Sequence, residues 1–344
     1  MAVTLHDVAR VAGVSIKTVS NVINDYPHIR PATRERVEQA IAELGYTPNL
    51  TARNLRSGRT GAIGLAVPNL GLPYFAELAA SVVEAAEAAG VVVLVEQTGG
   101  DRERELELLR SPRRQLTDGL IFSALGMGQA DVATLAVAYP LVLLGEQVYD
   151  APADHVTMRN VEAARAATAY LLASGRRRIA VVGTHDGDEG GTAGLRLRGY
   201  REALEAAGIS YDDAIVVPSA MWHRAGGAQA TRELLDRGEA FDAVFGLNDT
   251  LALGAIRALQ EARVRVPDEV AVIGFDDLDE AEYSVPSLTT VDPGRHWIAE
   301  TAVRTLLDRV RGGAADEAPR LMLANFRVVE RESAPAARAT DGAH

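Results

Sequence analysis

Apolar positions in the first 45 residues recur at the three-to-four-residue spacing of short amphipathic helices. The first predicted helix begins at a capping-box-like pair, Thr4 and Asp7, and ends at Gly13, which tolerates the left-handed backbone of a tight exit. Ser15 is placed to cap the second helix, and the third is expected over residues 32–44. None is long enough to be stable alone, so the three must share one small core.

From Gly61 the pattern changes to short β-branched runs that alternate with helical stretches, among them a helix predicted over residues 102–115. A second series of the same kind starts at "RIAVVG" (178–183). Such alternation indicates parallel sheets that helices cover on both faces. The predicted fold class is a small all-α head followed by an α/β body of two doubly wound, parallel-sheet subdomains. A cleft between two such subdomains is the natural place for a small ligand.

The segment between head and body, "YTPNLTARNLRSGRTG" (46–61), is ambiguous. Pro48 cannot continue the third helix, whereas Asn49 can cap a short helix that reaches about Arg56. A helix of this length is marginal at best in isolation. The residues alone leave a plain linker and a conditional helix equally open.

The composition excludes several classes of protein. The 344 residues include no cysteine, which rules out disulfides, thiolate metal sites and cysteine nucleophiles. No apolar run approaches the ~20 residues of a membrane span, and the N-terminus lacks the apolar stretch of a secretory signal. A cytosolic location is therefore the simplest expectation.

The net charge of −12 is distributed unevenly along the chain. Residues 1–60 hold eight Arg and Lys against five Asp and Glu, or +3, whereas the rest holds 27 against 42, or −15. A basic head on an acidic body suits an approach to phosphates, although a basic terminal segment is also a common solvated surface. Charge alone does not choose between these two interpretations.

The corner between the first two helices carries the most specific local motif. In "VAGVSIKTVSNVIN" (11–24) a Gly-Val-Ser turn separates two short helices, and the second contains the only lysine of the chain. This is the helix-turn-helix pattern, in which the N-terminal turn of the second helix meets base edges in the major groove. Its predicted outward positions are Ile16, Lys17, Ser20 and Asn21. An ordinary helical hairpin is the alternative interpretation.

An enzyme and an exported solute-binding protein are the competing classes. No G-x-G-x-x-G follows the first predicted strand, and no Walker A loop, H-E-x-x-H or G-x-S-x-G motif occurs. The acidic cluster "HDGDEGG" (185–191) fits no usual metal-ligand spacing and is interpreted as a solvated loop. We predict no catalytic residue, no metal and no cofactor. A solute-binding protein would need an export signal and would lack a helix-turn-helix head.

These motifs, in this order, resemble the lactose-repressor (LacI/GalR) family of bacterial transcription regulators. "VTLHDVARVAGVSIKTVSNVIN" and "ARNLRSGRTGAIGLAVPN" are similar to its head and hinge, and "GLRLRGYREAL", "LNDTLALGAIRAL", "VAVIGFDD" and "PSLTTV" to its body. The similarity extends to about residue 330, nearly the whole chain. It implies a periplasmic-binding-protein-like body and a homodimer that binds double-stranded operator DNA and a small-molecule effector, without a membrane.

The resemblance also implies which residues face DNA. A leucine from each hinge, here Leu55, would wedge into the central base step of the minor groove, and the small Ala52 would allow close approach. A hinge of this kind becomes ordered only on DNA, which favours the conditional helix over a plain linker. The predicted DNA-binding residues are Thr4, Ser15, Ile16, Lys17, Thr18, Ser20, Asn21, Asn24, Tyr46, Asn49, Ala52, Arg53, Leu55 and Arg56.

An arginine, an amide, a carboxylate and three aromatic rings of the body match ligand-contacting positions of the family. They are Arg196, Asn248, Asp276, Trp222, Tyr74 and Phe75. Such a set suits a sugar, which offers many hydroxyls and apolar C–H faces. The implied function is a repressor of carbohydrate-utilisation genes that a sugar-like effector releases from its operator. A nucleoside or another metabolite that acts as a co-repressor is the alternative.

The predicted domain boundaries follow from the motifs. The DNA-binding head spans residues 1–46 and the hinge spans 47–60. The effector-binding and dimerisation domain spans 61–332, and residues 333–344 are expected to be a disordered tail. Within the large domain, the first subdomain is expected to comprise about 61–158 plus 293–318, and the second about 159–292 plus 319–332.

Overall fold

Residues 1–61 and residues 62–344 fold as separate units. The computed structural model describes residues 3–23, 26–46, 59–185, 187, 190–312 and 317–336. Within its described residues, the first unit has three helices, α1 (Leu5–Ala12), α2 (Ile16–Ile23) and α3 (Pro31–Leu44). Val8, Val19 and Val37, one from each helix, have no exposed surface and form the centre of the shared core.

The predicted helix ends of this unit are confirmed. The Thr4 hydroxyl accepts from the Asp7 N–H at 3.4 Å, and the Asp7 carboxylate accepts from the Thr4 N–H at 3.0 Å, which completes a capping box. Gly13 follows α1 at a φ of 62°. The Ser15 hydroxyl accepts from the Thr18 N–H at 3.1 Å and so caps α2.

The second unit alternates strands and helices along most of its length. In chain order the elements are β1 (Ala62–Val67), α4 (Pro73–Ala88), β2 (Val92–Gln97), α5 (Arg102–Arg110), β3 (Leu120–Ser123), β4 (Leu141–Leu144), β5 (Asp154–Met158), α6 (Asn160–Ala173), β6 (Ile179–Thr184), α7 (Thr192–Ala206), β7 (Val216–Pro218), α8 (Arg224–Asp236), β8 (Ala243–Gly246), α9 (Asp249–Glu261), β9 (Ala271–Ile273), α10 (Asp279–Tyr283), β10 (Thr290–Asp292), α11 (Arg295–Val310), β11 (Leu321–Ala324) and β12 (Arg327–Val329). Short 3-10 helices cover Pro112–Leu116, Gln129–Leu135 and Asp213–Ile215.

Two parallel sheets organise this unit. The first has six strands in the order β11-β5-β4-β3-β1-β2, and the second has four in the order β7-β6-β8-β9. Every pairing within these two sheets is parallel. Helices α4 and α11 pack on the first sheet, and α6 to α9 pack on the second. The predicted pair of doubly wound subdomains is confirmed.

The predicted change of subdomain at residue 319 is wrong. Strand β11 pairs in parallel with β5, from Leu321 opposite His155 to Ala324 opposite Met158, so residues 321–324 belong to the first sheet. The open edge of that sheet has unpaired backbone groups, and an apolar run in this position satisfies them. The chain returns to the second subdomain only afterwards, where β12 pairs antiparallel with β10.

The tail predicted from residue 333 also begins too early. Ser333 has no exposed surface, its N–H donates to the Ser287 carbonyl at 2.9 Å, and its hydroxyl donates to the Val272 carbonyl at 2.6 Å. These bonds anchor the segment beside β9. Residues 337–344 lie outside the described part of the chain.

Two elements differ from the sequence pattern for local reasons. The helix predicted over residues 102–115 ends at Arg110, because Pro112 lacks an N–H and disfavours a helical residue before it. Strand β5 was not predicted, since its sequence "DHVTM" mixes polar and apolar residues although four of the five are buried. No helix within the described residues is both long and apolar enough to cross a lipid bilayer.

The chain passes between the two subdomains at three places, from β5 to α6, from β10 to α11 and from β11 to β12. The carboxyl ends of strands from both sheets border the cleft between the subdomains. This arrangement resembles the crevice where open parallel sheets bind ligands. Loops that follow β1, β4, β6, β8 and β9 therefore supply the side chains of the candidate site.

Candidate DNA-binding surface and effector cavity

The helix-turn-helix consists of α1, the Gly13 corner and α2. Val19 and Val22 of α2 are buried against the other two helices, and Lys17 is exposed at the first turn of α2. The predicted outward position of Ile16 is only partly correct, because its side chain is half-buried and packs against the head core. A lysine at this turn can donate to guanine or to a phosphate, as a recognition helix requires.

The remaining predicted DNA-binding residues fall into four groups. Ser20 and Asn21 are half-buried on α2, and Thr4, Ser15 and Thr18 take part in the helix caps. Tyr46 is 9% exposed and packs in the head core. Its contact with DNA stays a prediction. The others lie outside the described residues and stay predictions: Asn24, Asn49, Ala52, Arg53, Leu55 and Arg56.

A cavity of about 320 Å³ lies between the two subdomains of the second unit. Its lining includes all six residues predicted to bind an effector, which come from both subdomains. The first subdomain contributes Tyr74 and Phe75, at the start of α4. The second contributes Arg196, Trp222, Asn248 and Asp276. The structure thus brings together residues up to 202 positions apart (Tyr74 to Asp276), although contact with a ligand remains a prediction.

Arg196 is the most strongly held of these side chains. It is 2% exposed on α7, and its Nε donates to the Asn160 Oδ1 at 2.8 Å. One Nη donates to the Leu247 carbonyl, and the guanidinium carbon lies 3.5 Å from the centre of the Phe275 ring. Burial lowers the pKa of Arg196, although the nearby Asp276 opposes this effect.

Asp276 faces Arg196 with an Oδ1 to Nη2 distance of 3.6 Å. Its φ of 120° lies in a region that side chains rarely adopt, which costs on the order of 1–3 kcal/mol. Two bonds hold this backbone, since the Asp276 N–H donates to the Val291 carbonyl at 2.9 Å and Arg295 donates to the Asp276 carbonyl at 3.1 Å. Burial raises the pKa of Asp276 to about 8, against the opposing effect of Arg196.

Asn248 is the N-cap of α9. Its Oδ1 accepts from the Leu251 N–H at 2.8 Å and from the Thr250 hydroxyl at 3.0 Å. Its amide nitrogen donates to the Trp222 carbonyl over a longer distance, 3.4 Å. The NH₂ group is therefore the part of Asn248 that can most readily donate to a ligand. Asp249, the first residue of α9, lies fully buried, where its carboxylate accepts from the Leu278 N–H at 2.8 Å.

Three aromatic rings line the cavity. The Trp222 indole N–H donates to the Gly183 carbonyl at 2.8 Å, which fixes the ring beside Arg196. The Tyr74 and Phe75 rings meet edge to face with centroids 5.3 Å apart. Burial, with a smaller contribution from Asp276, raises the pKa of Tyr74, so the phenol stays neutral at physiological pH.

Sequence reasoning missed one carboxylate of the cavity, Glu146. This side chain is 6% exposed and follows directly on β4, where it accepts from the Thr157 hydroxyl at 3.0 Å and from the Thr192 hydroxyl at 2.7 Å. The available signal was "LVLLGEQ" (141–147), a buried strand followed at its carboxyl end by polar residues. His185, the first residue after β6, also lines the cavity.

Comparison with known sequences supports both units. Residues 4–49 match the family described as bacterial regulatory proteins, lacI family, and residues 168–334 match a periplasmic binding protein-like domain. The HTH-type transcriptional regulator CelR of Thermobifida fusca is 37% identical over 346 residues, which cover 96% of this chain and 98% of that protein. The ribose operon repressor of Escherichia coli K12 is 33% identical, and the match covers 89% and 93% of the two chains.

Solved structures give the same result. A regulator of the LacI family from Sanguibacter keddieii is 52% identical with a TM-score of 0.75, and the match covers 80% of this chain and 99% of that one. The lac repressor dimer bound to operator superposes with a TM-score of 0.81 at 30% identity, over 98% and 100% of the two chains. The CelR–cellobiose complex is 33% identical with a TM-score of 0.71, over 96% and 99%.

A helix-turn-helix head followed by a two-subdomain α/β body with a buried polar cavity defines a DNA-binding transcription regulator with a ligand-binding domain. The matched relatives span nearly the whole chain and share both units. The chain belongs to the lacI family of bacterial regulatory proteins. That family consists of transcription regulators and not of enzymes.

Proposed function

We propose that this regulator represses carbohydrate-utilisation genes and leaves its operator when a sugar-like effector fills the cavity between the subdomains. The observation that carries the proposal is the cavity itself, which combines a buried arginine, buried carboxylates and aromatic rings in about 320 Å³. This volume is at the lower end of ligand sites and suits a small sugar.

The chemistry of the lining matches a polyhydroxylated ligand. Asp276 and Glu146 can accept from sugar hydroxyls, and the Asn248 amide can donate to them. The apolar faces of Trp222 and Phe75 suit the C–H faces of a pyranose or furanose ring. A regulator of the LacI family from Enterococcus faecium was solved with bound ribose, and CelR with cellobiose, which supports this ligand class.

The head supports the DNA-binding half of the proposal. Lys17 is exposed at the turn of α2 that enters the major groove in this motif, and residues 1–60 carry a net charge of +3. We infer a homodimer on a near-palindromic operator, because the lac repressor, a structural relative, binds operator as a dimer. Its place of action would be the cytosol, where bacterial operator DNA is located.

The three chain crossings supply the link between cavity and DNA. A ligand that contacts both subdomains stabilises one relative orientation of them. A change in that orientation would alter the position of the segment that joins the body to the head. Linkage then requires that bound operator weakens effector binding by the same factor as the effector weakens operator binding.

The test is a thermal-shift panel on the purified protein, followed by DNA-binding measurements. Sugars, including ribose and cellobiose, polyols and nucleosides are each added, and the melting temperature is recorded. We expect at least one sugar to raise the melting temperature and to weaken binding to a duplex that is selected from random sequences. Failure to bind any duplex at low ionic strength would disprove the proposal, as would the absence of any shift across the panel.

A nucleoside or another metabolite that acts as co-repressor is the second candidate. The observation in its favour is the aromatic lining, since Trp222 and Phe75 could stack on a base, and PurR of Vibrio atlanticus is a relative at 30% identity. The sign of the coupling distinguishes the two: a co-repressor would strengthen DNA binding, whereas an inducer would weaken it.

A further inference from the structure

Acidic groups outnumber permanent cations in the cavity lining. Among the described lining residues, Glu146 and Asp276 carry carboxylates, and Arg196 is the one arginine or lysine. His185 and His223 complete the titratable groups beside Tyr74. The only lysine of the chain, Lys17, lies in the head. A ligand with its own negative charge would therefore enter a site with one permanent cation.

That cation is already engaged by the protein. Arg196 donates to Asn160 through Nε at 2.8 Å and to the Leu247 carbonyl, and it faces Asp276 at 3.6 Å. Its flat face rests on the Phe275 ring. A bidentate clamp on a phosphate needs two adjacent, uncommitted N–H groups, and this environment directs the guanidinium toward internal acceptors.

Glu146 occupies the position where an anion would be most favoured. The positive end of a helix dipole attracts negative groups, and α7, which has 15 residues, begins at Thr192 on the cavity wall. Glu146 comes from the opposite subdomain and accepts from the Thr192 hydroxyl at 2.7 Å. Its carboxylate, 6% exposed, is thus a built-in anion at this helix end.

The two carboxylates also act on each other. Glu146 is close enough to contribute to the raised pKa of Asp276, after the larger effect of burial. An added phosphate or carboxylate group would be repelled by the Glu146 carboxylate in a buried site, where charges are poorly screened. Hydroxyl groups, in contrast, can donate to Glu146 and exchange hydrogen bonds with the Asp276 carboxyl without adding charge.

We propose that the cavity selects an uncharged, hydroxyl-rich effector and rejects phosphorylated or carboxylated counterparts, and that Glu146 is the residue that enforces this choice. The inference rests on the proposed effector function and narrows its ligand class. Glu146 would have two roles. It would accept hydrogen bonds from the neutral ligand, and its carboxylate already occupies the N-terminal end of α7, where the negative group of a charged ligand would otherwise bind.

The test uses matched pairs of neutral compounds and their anionic counterparts. Glucose with glucose 6-phosphate, ribose with ribose 5-phosphate, adenosine with AMP, and glucose with gluconate are titrated calorimetrically into the full-length protein. For any pair that binds, we expect the neutral member to bind at least about 100-fold more tightly, equivalent to about 2.7 kcal/mol. In the isosteric variant Glu146→Gln this preference should fall at least about tenfold.

Thr192→Val is the matched control. It removes the hydroxyl that donates to Glu146 but leaves the carboxylate charge in place, so discrimination against anions should remain near the parent value. If Thr192→Val loses the discrimination as fully as Glu146→Gln, the hydrogen bond and not the charge is responsible, and the role assigned to Glu146 is wrong.

The remaining outcomes separate this inference from the proposed function. Tight binding of a phosphate ester or of gluconate to the parent protein would overturn the inference and leave the effector function standing. Absence of binding by every compound would overturn both. Should Glu146→Gln fail to fold, the ratio of neutral to anionic affinity in the parent protein alone decides the ligand class.

Discussion

Arg196 illustrates how one side chain can organise a binding site before any ligand arrives. Its guanidinium connects Asn160 at the start of α6, the Leu247 carbonyl after β8 and the Phe275 ring after β9. These contacts fix the guanidinium at the cavity wall, with its Nη2 facing the Met158 sulfur at 3.4 Å and Asp276 at 3.6 Å. The residue therefore has a positioning role within the protein as well as its predicted contact with the ligand.

The first prediction concerns this geometry. Arg196→Lys keeps a positive charge but loses the bonds to Asn160 and Leu247, so we expect effector affinity to fall by about tenfold to 100-fold, or 1.4–2.8 kcal/mol. DNA binding without effector should be retained. Effector affinity is measured by isothermal titration calorimetry, and DNA binding by the fluorescence anisotropy of a labelled operator duplex.

Arg198→Lys is the matched control for that variant, because Arg198 lies on the same helix with 60% of its side chain exposed. We expect it to behave like the parent protein in both assays. Equal effector response in Arg196→Lys and Arg198→Lys would show that Arg196 has no part in the site.

The second prediction concerns the pH dependence of stability. Burial raises the pKa of Asp276 from 3.8 to about 8, so the folded protein holds this proton over a range in which the unfolded chain releases it. Its contribution to stability is complete below about pH 4 and is lost as the pH rises toward 8. In Asp276→Asn the stability should fall less steeply over this range, by up to about 1.4 kcal/mol per pH unit.

The pH comparison needs urea unfolding of the ligand-free protein at pH 5, 6, 7 and 8. Asp268→Asn serves as the control, since this carboxylate is 72% exposed and its replacement should leave the slope unchanged. Parallel slopes for Asp276→Asn and the parent protein would contradict the assignment of the raised pKa to Asp276.

At the scale of elements, the helix-turn-helix depends on the backbone at Gly13. Its φ of 62° is one that residues with a Cβ rarely adopt, while the space around the missing Cβ is open. Gly13→Ala should therefore destabilise the head by about 1–2 kcal/mol through backbone conformation alone. Operator affinity should fall with it, because α2 depends on this corner for its position.

Hydrogen exchange followed by mass spectrometry would measure the loss in the head separately from the body. Gly128→Ala is the control, because Gly128 also has open space around it but an extended φ of −130°. Asn tolerates the left-handed conformation better than Ala, so Gly13→Asn should recover part of the stability. An unchanged exchange rate in the head of Gly13→Ala would contradict the role given to this corner.

Other elements show which features can be predicted from sequence patterns and which cannot. The caps of α1 and α2 were predictable because each depends on residues within four positions of one another. Strand β5 was not predictable, because its buried polar residues depend on partners outside the strand. Arg309, far along the chain, donates to the Asp154 carboxylate, and the Gly145 carbonyl, in a loop, forms a hydrogen bond with the His155 ring. Membership of β11 in the first sheet likewise depends on a neighbour 166 residues earlier (His155 opposite Leu321).

At the scale of the whole molecule, the proposed regulation requires that effector binding in the body alters DNA binding by the head, and residues 47–60 join the two along the chain. Leu55, which lies outside the described residues, is predicted from the family resemblance to wedge between bases. Leu55→Ala should weaken operator binding by about tenfold or more while effector affinity in the absence of DNA stays at the parent value. Anisotropy and calorimetry at one fixed salt concentration measure the two effects, since phosphate contacts make DNA affinity strongly salt-dependent.

Leu50→Ala, in the same segment, is the control for loss of a leucine without loss of the predicted wedge. It should weaken operator binding less than Leu55→Ala does. Equal operator affinity for Leu55→Ala and the parent protein would show that Leu55 does not insert between bases, and would favour the interpretation of the segment as a plain linker.

Local pattern was enough to predict the three-helix head and the alternation of strands and helices, and the family resemblance supplied the six residues that line one cavity. Helix caps, apolar periodicity and family motifs all depend on residues that are near one another in the chain. The opposition of Glu146 and Thr192, the bonds that orient Arg196 and the true edge of the first sheet could not be read in this way. Each depends on a contact between segments far apart in the chain, and such contacts exist only in the folded tertiary structure.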